Sequence, residues 1–182
     1  MSPVKPLRAD ARRNRDQLVA VARAVFDELG TAAPLDEVAR RAGIGNATLY
    51  RHFPTRDDLL IAVYAEEVAG LSDLGEALLG GSADPLDALF EWLEAFVGHV
   101  AAKGDLARTL EPGARRSELH EQWHAAMFEV VVRLVDKCRA AGSIQPDLDP
   151  IDLLVLVSGT ATAEPVRVRR LLRLIRRGVS VG

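Results

Sequence analysis

Residues Pro34 to Arg56 have the sequence PLDEVARRAGIGNATLYRHFPTR, which holds two short amphipathic helix patterns with a glycine between them. The first pattern directs four apolar side chains inward, namely Leu35, Val38, Ala39 and Ala42. Gly43 allows the chain to turn sharply, and the second pattern covers about Asn46 to His52. Because the first helix of such a pair can hold the second outward, this spacing predicts a helix-turn-helix, whose second helix fits the major groove of DNA.

The side chains that the second predicted helix leaves exposed are of types that contact nucleic acid. Amide, hydroxyl and guanidinium groups at Asn46, Thr48 and Arg51 can meet base edges. Other polar groups can hold phosphates and fix the register of the protein on DNA, at Tyr50, His52 and Arg56. An alternative is that Tyr50, like Phe53, belongs to the core.

A cluster of five basic residues precedes the first helix pattern, at Lys5, Arg8, Arg12, Arg13 and Arg15. It predicts an arm that follows the DNA backbone or enters a minor groove, although a solvated tail explains the composition equally well. The first helix is predicted with Leu18, Val25 and Leu29 facing inward and with Gly30 closing it.

Composition indicates a globular chain. The 182 residues are 48% hydrophobic and 27% charged, which excludes disordered, collagen-like and disulfide-stapled classes. No secretory signal is visible, the longest uncharged run (Leu153 to Ala163) is too short to cross a bilayer, and Cys138 has no second cysteine to pair with, so we expect a cytoplasmic protein.

Net charge is +4 over residues 1–56, −13 over residues 57–164 and +6 over residues 165–182. A basic start before an acidic body is typical of a polyanion-binding module joined to a part that does not bind polyanions.

Helical periodicity continues to the end of the chain and no stretch alternates as a strand would, so we predict an all-α fold with about nine helices. Capping residues mark several helix starts, at Thr55 with Asp58, at Asp84-Pro85, at Ser117 and at Asp149-Pro150. Residues Lys103 to Gly113 predict a short element that Pro112 breaks.

Residues 14–60 resemble the DNA-binding domain of the TetR family of bacterial transcriptional regulators. The resemblance rests on the apolar positions of the first two helices, on the Ala42-Gly43-Ile44 turn, on Thr48-Leu49-Tyr50-Arg51-His52-Phe53 and on Leu59-Leu60. Four positions depart from the family pattern. Gly45 and Ala33 replace the usual hydroxyl residues, Arg56 replaces the usual Lys, and Ala47 stands where Gly is frequent, which makes Ala47 a further candidate at the DNA surface.

This resemblance implies a DNA-binding domain over residues 1–56 and a helical effector-binding and dimerisation domain over residues 57–182. It also implies a homodimer that binds a double-stranded DNA operator and that a small-molecule effector releases. No cofactor, metal site or catalytic residue is expected under this interpretation.

In the second half of the chain, aromatic, methionine and histidine residues form a candidate effector pocket: Trp92, Phe96, His99, Trp123, His124, Met127 and Phe128. Such residues line cavities between helices, and they also fill solid cores. We expect at least half of them to line a pocket for an apolar or aromatic effector.

The segment His120-Glu121-Gln122-Trp123-His124 matches the zinc-hydrolase motif H-E-x-x-H, which places two imidazoles on one helical face. This match leaves a zinc-dependent hydrolase, or a metal-sensing regulator completed by His99, as alternatives. Ordinary surface or pocket histidines are the preferred interpretation. A further alternative is an interaction protein in which the helix-turn-helix is only structural.

The last two predicted helices differ in character. The helix that follows Pro150 is apolar almost all round and needs cover on more than one side, and the final helix carries six arginines opposite an apolar stripe. A basic amphipathic helix can lie on a membrane surface. We favour a dimer bundle formed by both helices and expect no membrane partner.

Overall fold

The computed structural model describes the backbone of residues 5–81, 84–109 and 114–181, and the side chains of residues 10–81, 84–102 and 124–181. Over these ranges the chain forms eight helices: α1 (Lys5–Leu29), α2 (Leu35–Ala42), α3 (Asn46–His52), α4 (Arg56–Gly80), α5 (Pro85–Thr109), α6 (Ala114–Ala140), α7 (Pro150–Ser158) and α8 (Pro165–Val179). In the same ranges β pairing is limited to an isolated antiparallel bridge between Ile144 and Ser180. The predicted all-α fold is therefore confirmed.

Side-chain caps start three helices where the sequence predicted them. Thr55 and Asp58 exchange bonds at the start of α4, with 2.7 Å between Thr55 Oγ1 and Asp58 Oδ2. The Asp84 carboxylate accepts from the Leu86 N–H at 2.9 Å before α5. The Asp149 carboxylate accepts from the Ile151 N–H at 2.6 Å before α7.

Several predicted boundaries are wrong. The basic residues from Lys5 to Arg15 do not form an arm ahead of the first helix, because α1 already begins at Lys5 and no helix breaker follows Pro6. Likewise, α5 continues to Thr109, which removes most of the separate short element predicted before Pro112; residues 110–113 lie outside the described range. Helix α6 begins at Ala114, so Ser117 is not its cap.

The chain divides into two compact units, Met1–Glu66 with Asp105–Glu111 and Glu67–Gly104 with Pro112–Gly182. In the first unit the core is formed by apolar residues of α1, α2, α3 and the start of α4, including Leu18, Val25, Val38, Leu49 and Leu59. Leu29, predicted to face inward, is instead 49% exposed. It is the last residue of α1, so no further turn of helix covers it.

The second unit is centred on Trp92, which is completely buried. Its indole N–H donates to the Leu71 carbonyl at 2.9 Å, and its ring stacks on Phe96 with 5.4 Å between centroids. Helices α4 and α6 approach closely at Gly75, where a Cβ atom would lie 2.2 Å from Val130 Cγ1. None of the helices, over the part of the chain described, has the length and hydropathy needed to span a bilayer.

Candidate nucleic-acid interface and ligand cavity

The turn between α2 and α3 is built around Gly43. Its φ of 65° lies in the left-handed region, which costs a residue with a Cβ atom roughly 1–2 kcal/mol. The following N–H, that of Ile44, donates to the Ala39 carbonyl at 3.0 Å and closes the end of α2. Val38 and Leu49 are buried against the core. Backbone bonds and apolar contacts therefore fix the direction in which α3 leaves the turn.

Helix α3 turns one side chain fully inward and leaves the rest at the surface. Leu49 is 1% exposed, whereas Tyr50 is 47% exposed. Asn46, Ala47 and Arg51 are also exposed, and Thr48 and His52 are half-buried. Phe53, which follows the helix, is 3% exposed. The alternative that placed both aromatic residues in the core therefore holds for Phe53 and is wrong for Tyr50.

The arginines near this surface differ in their partners. Glu37 accepts hydrogen bonds from Arg40 at 2.8 Å and from Arg41 at 2.7 Å, and Arg41 also donates to Glu28 at 2.5 Å. The bond from Arg40 is the largest cause, followed by that from Arg41, of a pKa of Glu37 lowered to about 2. Arg51 is exposed and makes no ion pair with any described residue. It is therefore the guanidinium on α3 that remains available to an external anion.

Two other predicted contact residues have protein partners. Asn46 Nδ2 donates to Asp36 Oδ1 at 3.0 Å, which orients the amide at the first residue of α3. Arg56 Nη1 donates to the carbonyl oxygens of Thr31 at 2.8 Å and Ala33 at 2.7 Å. Arg56 thus fastens the loop after α1 to the start of α4, a role that its sequence position did not indicate.

His52 and Arg15 both lie beside the Phe53 ring. The centroid of the His52 ring is 6.4 Å from that of Phe53, and His52 Nε2 is buried with no hydrogen-bond partner in the described structure. The Arg15 guanidinium lies 5.6 Å from the Phe53 centroid, a cation–π arrangement. Arg15, predicted as part of an arm, is therefore held on α1 next to the end of α3.

Within the second unit, a cavity of about 570 Å³ brings together four of the seven predicted pocket residues, namely Phe96, His124, Met127 and Phe128. The remaining lining includes four residues of α7 that the sequence did not assign to a pocket: Ile151, Leu154, Val155 and Ser158. The run of apolar residues after Asp152 in α7 is a signal for this wall, although the sequence alone indicates only a subunit contact there.

The other predicted pocket residues do not line this cavity. Trp92 belongs to the core, because it is completely buried and its indole N–H is satisfied by a backbone carbonyl. His99 is 7% exposed, and its Nδ1 lies 3.5 Å from Glu67 Oε2. The side chain of Trp123 lies outside those that the structure describes.

The zinc-motif match rests partly on residues that the structure does not describe, since the side chains of His120 and Glu121 lie outside the described range. His124 is exposed and contributes to the cavity. No group of three metal-ligating side chains occurs among the described residues. The nearest carboxylate to His99, the proposed third ligand, that the ion pairs record is that of Glu67.

Comparison with known families gives matches to both parts of the chain. Residues 18–63 match the model of bacterial regulatory proteins of the tetR family. Residues 84–181 match the C-terminal domain of SbtR-like transcriptional regulators. The second match alone covers more than half of the chain.

Individual relatives agree with these assignments. An HTH-type transcriptional regulator of Staphylococcus aureus is 36% identical over 63 residues, and the match covers 34% of each chain, about a third of that protein's length. A TetR transcriptional regulator of Streptomyces coelicolor is 34% identical, with a TM-score of 0.78 over 91% of this chain and 98% of that one. A TetR regulatory protein of Mycobacterium vanbaalenii is 32% identical, with a TM-score of 0.77 over 97% of this chain and 100% of that one.

These relatives are regulators rather than enzymes, which argues against the zinc-hydrolase alternative. The family suggested by the motif in α2 and α3 is matched independently by the sequence model of the C-terminal half and by whole-chain structural similarity. The chain belongs to the TetR family of bacterial transcriptional regulators.

Proposed function

We propose that the protein is a homodimeric repressor that binds a specific DNA operator and is released by a small-molecule effector. Residues 1–56 form the DNA-binding domain, and residues 57–182 form the effector-binding and dimerisation domain. The observation that supports this most directly is the exposed surface of α3, a short helix anchored by buried Leu49 that leaves Tyr50 and Arg51 outside. Operator binding would place the protein in the cytoplasm.

The residues of α3 divide into two roles. Asn46, Thr48 and Arg51 read base edges, with the Asn46 amide already oriented by Asp36. The Tyr50 hydroxyl donates a hydrogen bond to a phosphate and thereby sets the register of the protein on DNA. The remaining candidates act around this centre: the small Ala47 sets how closely the backbone approaches DNA, His52 lies beside Phe53, and Arg56 holds the loop after α1 through its two carbonyl bonds.

Dimerisation is supported by the apolar surface of the last two helices. Ile151, Val155 and Leu156 on α7 are more than half exposed, as are Val166 and Leu174 on α8. Large apolar side chains that remain exposed on two consecutive helices indicate an interaction surface. A twofold axis would let this surface cover itself in a second copy.

Release follows from the spacing of the two α3 helices in the dimer. Half-sites of an operator lie about one helical turn apart, roughly 34 Å, so both α3 helices bind only when their separation matches. A second state of the dimer, in which the two α3 helices have a different separation, does not fit the operator. An effector that binds this second state more tightly lowers operator affinity, and its preference for that state sets the limit of the effect.

The test is selection of DNA ligands from a random duplex library by the full-length protein. We expect an inverted repeat whose half-sites are separated by about one turn of DNA. Affinity for the selected site should fall steeply as salt rises, because phosphate contacts release counterions. A selection that yields no enriched sequence would contradict the proposal.

A further inference from the structure

The ligand cavity and the exposed apolar surface share residues. Ile151 and Val155 line the cavity, yet they are 54% and 66% exposed in a single chain, and Phe128 is 38% exposed. The opposite wall is formed by Phe96 and Met127, which are 7% and 4% exposed. One wall of the cavity therefore belongs to the protein interior, and the other belongs to the open face of α7.

A cavity with such an open wall cannot enclose a ligand by itself. Small-molecule sites usually bury roughly 70–90% of the ligand surface. At about 570 Å³ the cavity is large enough for a drug-sized molecule. A ligand seated there in an isolated chain would keep one side in water beside Ile151 and Val155. The site needs a cover that the described part of this chain does not supply.

Exposed apolar side chains also occur outside the cavity, on both α7 and α8. Leu156, Val166 and Leu174 are each more than half exposed and do not line it. A small molecule cannot cover this outer area, whereas a second copy can. The charges also suit a self-complementary contact, because α7 carries the exposed acid Asp152 and is capped by the exposed acid Asp149, while α8 carries six arginines and its only acid is the cap Glu164. A twofold arrangement that brings α7 of one subunit against α8 of the other pairs these charges.

We propose that the second subunit completes the effector cavity, so that effector binding and dimerisation strengthen each other; this inference rests on the proposed function. The effector is a predominantly apolar molecule with one or two hydrogen-bonding groups. The described lining contains no Asp, Glu, Lys or Arg, and its polar side chains are those of His124 and Ser158. Such a lining does not compensate the loss of hydration of a permanently charged ligand.

The experiment uses the neutral fluorescent probe N-phenyl-1-naphthylamine and the full-length protein. Leu174→Asp places a charge in the proposed interface without touching the cavity. Leu29→Asp is the matched control, because Leu29 is similarly exposed, at 49% against 53%, but lies on α1. Sedimentation equilibrium gives the oligomeric state, circular dichroism gives the helix content, and fluorescence titration gives the probe affinity of each protein.

We expect the wild type and Leu29→Asp to be dimers that bind the probe equally. Leu174→Asp should be a helical monomer with probe affinity lowered at least about tenfold. Because coupling between sites is reciprocal, saturating probe should tighten the wild-type dimer by a comparable factor. If Leu174→Asp does not fold, dilution of the wild type through its dimer dissociation range provides the same comparison.

Three results would overturn the inference: a folded monomeric Leu174→Asp with wild-type probe affinity, a Leu174→Asp protein that stays dimeric, or a wild type that does not bind the probe. Operator binding by the wild type is measured on the same samples. If that binding is present while probe and dimerisation are uncoupled, the inference fails and the proposed function stands. If operator binding itself is absent, the proposed function fails.

Discussion

Arg51 and Arg56 are close in sequence, but the structure uses their guanidinium groups differently. Arg56 donates to two carbonyl oxygens of the loop after α1, whereas Arg51 is exposed without an ion pair to any described residue. Arg56 therefore acts on stability and Arg51 acts on an external partner.

This difference predicts unequal effects of two alanine substitutions on the free energy of unfolding. Arg56→Ala should lower the free energy of unfolding by about 1–3 kcal/mol, because it removes hydrogen bonds from a charged donor. Arg51→Ala should change it by less than about 0.5 kcal/mol, as surface substitutions usually do. Urea unfolding followed by circular dichroism measures both. Equal stability of the two variants would contradict the assignment of Arg56.

Glu37 makes the stability of the first unit depend on pH. Its pKa is lowered to about 2 by the bonds from Arg40 and Arg41, so its contribution is present above its ordinary pKa of 4.5 and is lost as the pH falls toward 2. Glu37→Gln should therefore flatten the loss of stability between about pH 5 and about pH 3. The effect is small because the group is solvent-screened.

Urea midpoints at the two pH values measure this difference. Asp27→Asn is the matched control, because it removes one acidic group from an exposed face of α1. This variant should retain the wild-type pH dependence of stability. A Glu37→Gln protein with an unchanged slope would show that the ion pairs do not form in solution.

At the scale of elements, the turn after α2 depends on a glycine that no other residue replaces without strain. A Cβ at Gly43 would meet no atom within 4 Å, but the φ of 65° is unfavourable for alanine. Gly43→Ala should therefore destabilise the protein by about 1–2 kcal/mol.

Gly70→Ala is the matched control, because Gly70 lies within α4 in open space without a positive φ. The same change there should stabilise the helix by about 0.5–1 kcal/mol. Thermal unfolding distinguishes the expected loss of stability in Gly43→Ala from the expected gain in Gly70→Ala. A harmless Gly43→Ala would mean that the turn is not held as described.

What the sequence could predict at this scale follows from how local each signal is. The α2–α3 turn and the caps at Thr55, Asp84 and Asp149 depend on residues a few positions apart, and all were predicted. The start of α1 was not, because a polar basic segment is as typical of a solvated tail as of a helix without an apolar face. The continuation of α5 was missed because the break was assigned from Pro112, beyond the last described residue of that helix.

The ligand cavity was predictable only in part. Helical periodicity places Trp92 and Phe96 on the same helix, but it does not say where a neighbouring helix leaves a gap. Packing decides that Trp92 fills the core and that Phe96 lies on a cavity wall with α7 opposite. The contribution of Val155 therefore had to come from the structure.

At the scale of the whole molecule, the proposed function requires two copies on one operator. When both α3 helices are joined in a dimer, binding of the second half-site becomes intramolecular. Leu156→Asp, a change at a 55% exposed residue of α7 outside the cavity, should give a monomer whose operator affinity is lower by at least about 100-fold.

Sedimentation velocity and fluorescence anisotropy with labelled operator measure the two effects together. Leu29→Asp should leave both unchanged. A monomeric Leu156→Asp protein that binds the full operator as tightly as the wild type would show that dimerisation does not contribute to operator affinity.

The most direct measurement for the central claim compares Arg51→Ala with Arg133→Ala on the selected operator and on random duplex DNA. Arg133 is an exposed arginine of α6 paired with Glu76, so its substitution removes the same charge from a helix of the second unit. Arg51→Ala should weaken operator binding roughly 10- to 100-fold and reduce discrimination against random DNA, while Arg133→Ala behaves as the wild type. Wild-type discrimination by Arg51→Ala would contradict the claim that α3 reads DNA through this residue.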